Sequence, residues 1–171
     1  MVTATRSGHL SCKGDTMEHA SLITDYLQGP QVLREAIRGM TREQLLARPV
    51  AGKWSTQEVV CHLADFDPII ADRMKRVIAE EKPSLLGANE NAFAAKLFYE
   101  DRDVEQELAI IEQTRRQMGR ILKKLPLEAF QRTGIHNERG ELTLRKLLEI
   151  GIRHILHHVE FIKEKRKALG V

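Results

Sequence analysis

Two histidines four residues apart near the C-terminus, His154 and His158, carry the strongest chemical signal in this chain. On a helix that spacing sets both imidazoles on one face, a turn apart, with side chains able to converge on a common point. A third ligand to an ion held there must come from another element. His62 is the histidine on the inward stripe of a different long segment, Val59, His62, Leu63, Phe66, Ile70, Met74, Val77 and Ile78. Bundle cores build metal sites in this way, from side chains on facing helices. Three neutral imidazoles suit one divalent ion (Zn²⁺, Ni²⁺, Fe²⁺ or Cu²⁺) and leave at least one position for water or substrate. Such an ion lowers the pKa of a bound water or thiol and generates a nucleophile near neutral pH. The competing readings are a metal that only ties two helices together around a small ligand, and a plain core of three buried neutral histidines.

Other polar residues are candidates for supporting roles. Asp65 lies three residues after His62 on the same side of the helix, where it could orient an imidazole or serve as a base. His136, in the loop Gly134 to Gly140, precedes the helix of the histidine pair and could move protons. His157 is rotated about 100° from His158 and reads as a neighbour or surface group. Cys61 points away from His62 and reads as a small buried hydrophobe. Trp54 reads as a staple onto Phe66 or Ile70, and Arg73, about three turns beyond His62, as either a surface ion pair or a contact for an anionic substrate. His9 and His19 have no assigned chemistry.

Four long helices position these groups. Leu22, Tyr26, Leu27, Leu33, Ile37 and Met40 recur at helical spacing, with Pro30 bending that helix. Thr41 with Gln44 and Ser55 with Glu58 are capping boxes, the second opening the His62 helix. Pro68 kinks that helix beyond His62, and Pro83 ends it. A long connection over residues 84–102 carries a helix-like patch at Phe93, Leu97 and Phe98, and a connector of that length is usually functional or loosely packed. Asp103 caps a third helix that runs to Pro126. Thr143 caps the last, whose stripe is Leu144, Leu147, Leu148, Gly151, Ile155 and Ile162. No run shows strand alternation, so the sequence predicts an all-α fold.

At 171 residues the chain is the size of one domain. Residues 17–171 read as that domain and residues 1–16, polar and aperiodic, as a flexible leader. The 27 basic and 24 acidic residues are interspersed for a net charge of +3, which argues against a nucleic-acid partner. The densest basic run, Lys163 to Lys167, reads as a solvated helix end. No segment has the roughly 20 apolar residues of a bilayer span, and Cys12 and Cys61 lie in unlike contexts, so no membrane and no disulfide framework are expected. A reducing cytoplasm fits.

The stretch Gly52-Lys53-Trp54-Ser55-Thr56-Gln57-Glu58-Val59-Val60-Cys61-His62-Leu63-Ala64-Asp65, followed much later by His154-Ile155-Leu156-His157-His158, resembles the DinB/YfiT-like superfamily. The resemblance runs from about Met17 to the C-terminus. It implies an antiparallel four-helix bundle with long crossover connections and frequently a homodimer. It also implies a three-histidine site for one divalent metal, zinc or nickel foremost, with ligands matching His62, His154 and His158. Relatives include transferases and isomerases that use low-molecular-weight thiols, metal-dependent hydrolases, and members of unknown activity. The expectation is therefore a small-molecule S-transferase or hydrolase with Asp65 and His136 as candidate catalytic groups, or else a non-catalytic, stress-related binding module. Where many relatives have a basic, glutamine-containing turn after the last histidine, this chain has Val159-Glu160-Phe161, which bears on substrate class.

Overall fold

The structure, a computed structural model, describes the backbone of residues 9–171 and the side chains of residues 17–171. Residues 1–8 of the expected leader lie outside the described residues, and from His9 the backbone is helical. Four long helices, α1 (His9–Ile37), α3 (Thr56–Ala79), α5 (Val104–Leu122) and α6 (Leu144–Leu169), form a four-helix bundle. Short helices α2 (Arg42–Leu46) and α4 (Glu90–Lys96) lie in the connections. Helices α1 and α3 each pack on both α5 and α6, so the chain crosses the bundle in passing from α1 to α3 and from α5 to α6. Among the described residues, no helix is long and apolar enough to cross a membrane.

Helix starts follow local chemistry. Ser55 Oγ accepts from the Glu58 amide at 3.1 Å and the Glu58 carboxylate accepts from the Ser55 amide at 2.7 Å, a reciprocal cap that fixes where α3 begins. Asp103 and Thr143 cap α5 and α6 through the amides of Gln106 and Lys146, at 2.9 and 3.0 Å.

The core falls into two apolar regions. One gathers Tyr26, Met74, Met118, Leu122, Phe130 and Leu147, the other Leu33, Val60, Leu63, Ile111, Ile155 and Ile162. A buried ion pair, Arg115 with Asp67, joins α5 to α3, each side chain about 1% exposed. The Arg115 guanidinium also donates to the carbonyls of Tyr26 at 2.9 Å and Gly151 at 2.7 Å, tying in α1 and α6. Pro30 explains the first of these bonds. It lacks the amide that would have bonded the Tyr26 carbonyl one turn back, and Arg115 supplies the missing donor. Gly29 makes room: a Cβ there would sit 2.3 Å from Arg115 Nη1.

One expectation needs correction. The segment read as a strand-free polar loop forms part of a small three-stranded sheet, β1 (Ser84–Leu85), β2 (Thr133–His136) and β3 (Gly140–Thr143). β2 and β3 pair antiparallel with His136 opposite Gly140, and β1 pairs parallel to β2 with Leu85 opposite His136. Gly140, at φ +71°, supplies the left-handed residue that closes the three-residue hairpin loop. Strands of two and four residues are too short to impose a visible alternation. Their pairing depends on the crossover from α3 returning alongside the hairpin.

Candidate metal centre

His62 on α3 faces His154 and His158 on α6. The three ring centroids form a nearly equilateral triangle, 4.8 Å between His62 and His158 and 4.9 Å for each of the other two pairs. One ring nitrogen from each lies within 4.8 Å of the others, and Nε2 of His62 is 2.9 Å from Nε2 of His154. Burial pushes all three imidazoles below their ordinary range: His62 to about 4, His158 to about 3, and His154 to about 2 with the neighbouring histidines adding to the effect. All three are therefore neutral near pH 7, the state in which a ring nitrogen offers a lone pair to a metal. Their Nδ1 atoms are buried without a hydrogen-bond partner among the described residues. Three closely packed imidazoles with so few partners make a costly plain core, whereas as a donor set they fit one divalent ion.

Aromatic rings wall the centre. Trp54 and Phe66 approach His62 with centroids 5.1 and 4.5 Å away, and Phe93 of α4 packs on Phe66 at 5.6 Å. Trp54 thus lies against a histidine of the cluster, a contact its reading as a staple onto Phe66 or Ile70 did not include. The site opens into a cavity of about 670 Å³ lined by, among others, Trp54, Glu90, His136, His154, His158 and Phe161.

The remaining candidates are distributed unevenly. His136 is buried at the end of β2 and lines the cavity, its pKa held down by burial and by the Arg73 and Arg139 cations, and its Nδ1 accepts from the Glu138 amide at 3.2 Å. Asp65 is not brought into the cavity. Both its oxygens are bound by Arg102 at 3.0 Å, and one also accepts from the Tyr99 hydroxyl at 2.8 Å. Together with Gln57, whose amide donates to the carbonyls of Tyr99, Glu100 and Arg102, Asp65 anchors the crossover onto α3. Cys61 is fully buried, its thiol pushed up to about 12 by burial. His157 is exposed, its ring 4.7 Å from that of Phe161. Arg73 lines the cavity and donates to the Leu86 carbonyl at 3.1 Å rather than pairing with an acid. His19 packs on Phe130, 4.4 Å between centroids.

Sequence reasoning passed over two residues here. Glu90, the first residue of α4, carries a carboxylate oxygen 4.0 Å from His62 Nε2. The length of the connection was the available signal, together with the Asn89 cap, whose side chain accepts from the Ala92 amide at 3.0 Å. Lys165, read as part of a solvated helix end, is instead 3% exposed. It lies seven residues after His158, about two turns along α6, and so shares the inward face.

Fold and site together define the class: a four-helix bundle with a cluster of three histidines, a donor set that fits a metal ion, at the wall of a cavity. The DinB superfamily matches residues 25–162, and the chain belongs to that family. A Bacillus licheniformis protein provisionally named a metal-dependent hydrolase is 28% identical over 159 residues, covering 92% of this chain and 90% of its own. YfiT of Bacillus subtilis, provisionally named in the same way, is 28% identical over 142 residues, covering 82% and 80%. The solved structure of YfiT, described as having an unusual four-helix-bundle topology, superimposes with a TM-score of 0.84 at 24% identity, over 99% of this chain and 94% of that one. A mycothiol-dependent maleylpyruvate isomerase shares the fold at 12% identity, with a TM-score of 0.65 over 82% of this chain and 59% of that one.

Proposed function

We propose that this protein is a metal-dependent hydrolase acting on a small molecule, with His62, His154 and His158 holding one divalent ion, zinc or nickel foremost. The observation that carries the reading is the convergence of three neutral imidazoles at the wall of a cavity, with the Glu90 carboxylate 4.0 Å from His62 Nε2. A divalent ion held there supplies Lewis acidity toward a water or a carbonyl oxygen. The provisional names of the relatives support the same class.

The chain's own residues supply the rest. Glu90 stands where its carboxylate can accept a proton from a water beside His62, and its 56% exposure leaves that proton a route to solvent. His136, on the same cavity, is a second proton acceptor. Trp54 and Phe66 exclude bulk water from the imidazoles and so strengthen electrostatic interactions there. A low-molecular-weight thiol taken up in place of water would make the same site an S-transferase.

The test compares ester and amide substrates with a thiol plus a chlorinated nitroaromatic, using protein loaded with zinc or with nickel. Hydrolysis of the first set supports the reading, and thiol transfer alone replaces it with the S-transferase. Metal retention without any turnover replaces it with a binding module. Metal content measured for His62→Ala, His154→Ala and His158→Ala should fall to background while His157→Ala keeps its metal. Full retention by His62→Ala would sink the ligand assignment.

A further inference from the structure

Lys165 is the most deeply buried ammonium on the cavity wall, and no acidic partner accounts for its burial. Its Nζ donates to the Phe161 carbonyl at 3.2 Å. Among the described residues no carboxylate oxygen lies within 4.0 Å of it, as the ion pairs found elsewhere on the molecule make plain by contrast. Glu58, an acid whose field reaches Lys165, is already held by the fork of Arg48 at 2.7 and 3.0 Å and by the Ser55 amide. The other acid whose field it feels is its chain neighbour Glu164, which is exposed to solvent. A second cation adds to the imbalance. Lys53, from the turn before α3, places its Nζ 5.5 Å from the Phe161 ring centroid, and Lys165 Nζ lies 5.8 Å from the same centroid.

Two ammonium groups thus share one aromatic ring on the wall of the cavity that the histidines face. Burying an ammonium without an anion is unfavourable, and a ligand that brings the missing charge offsets that cost. Burial disfavours the ammonium form of Lys165, and repulsion from Lys53 adds to the effect. A bound anion relieves both effects.

We propose that Lys165 and Lys53 form a subsite for an anionic group, a carboxylate or a phosphate, on the small molecule that the metal centre acts on, with Phe161 and Trp54 offering apolar surface to its body. The inference rests on the functional reading above for the identity of the ligand as a substrate. The subsite itself stands on the lysines alone.

Trp54, the chain's single tryptophan, lines the cavity and gives a direct optical readout. The experiment titrates zinc-loaded protein with 3-phenylpropionate, phenyl phosphate and the neutral 3-phenylpropanamide, following Trp54 emission. One or both anions should give saturable quenching at least about tenfold tighter than the amide, in line with a charge-assisted hydrogen bond, and the tighter anion identifies the head-group chemistry. Lys165→Met should weaken that anion about tenfold or more and melt no lower than wild type, because it removes a buried unpaired charge. Lys53→Met, at an exposed position, should weaken it a few-fold and keeps the test available if the first variant folds poorly. Equal binding of anion and amide, or wild-type affinity in both variants, overturns the proposal. Binding is read without turnover, so loss of the subsite and loss of the hydrolase reading are separate results.

Discussion

Arg115→Met should be among the most damaging single substitutions in this protein. It leaves the Asp67 carboxylate, about 1% exposed, without its partner, and it strands the Tyr26 carbonyl that Pro30 cannot serve. Breaking a buried ion pair from one side costs about 3 to 5 kcal/mol, and an unsatisfied buried carbonyl adds about 1 kcal/mol. Against a total stability of roughly 5 to 15 kcal/mol, that removes a large share. At about 2 to 4 °C per kcal/mol for a chain of this size, Tm should fall by roughly 10 to 20 °C in thermal melts followed by circular dichroism. The double variant Arg115→Met with Asp67→Leu should recover most of the loss, since it leaves no lone buried charge. Adding Pro30→Ala should recover more by returning an amide donor to Tyr26. A single-variant loss under about 1 kcal/mol, or a double variant no more stable than the single, would refute the reasoning that Arg115 is held by these two debts of charge and hydrogen bonding.

The remaining predictions concern the imidazoles and the cap that positions them. His62 is pushed down to about 4 by burial, so its contribution is complete above the ordinary imidazole pKa and is lost as pH falls below that ordinary value toward about 4. At pH 5 the cost in metal-free protein is roughly 2 kcal/mol for this imidazole. Urea midpoints measured from pH 7 to pH 5 should therefore decline, and the decline should be shallower in His62→Leu; parallel curves for the two proteins would contradict the assignment. Ser55→Ala removes the acceptor for the Glu58 amide at the start of α3 and should cost about 1 kcal/mol. It should lower Tm by about 2 to 4 °C, and an unchanged melting curve would show that the cap adds nothing beyond the tertiary packing.

The sequence by itself determined what depends on neighbours along the chain. Caps at Ser55, Asp103 and Thr143 announce helix starts because their acceptors and the amides they serve are three residues apart. The stripes around His62 and His154 follow from the 3.6-residue period, which assigns each residue to a face whatever packs on it. All three histidines of the cluster could be read that way, as could the burial of Cys61. Partners distant in the chain belong to the tertiary structure. Asp65 shares a side with His62, yet Arg102 and Tyr99 from the crossover capture it. Glu90 reaches His62 only because that crossover folds back over α3, and the three short strands exist only because it meets the hairpin. Lys165 lies in a run that is basic by composition, and its near-complete burial on the cavity wall was set by the packing around α6. Local spacing put three imidazoles on inward faces. The packing of α3 against α6 made them one site and fixed which charges face it.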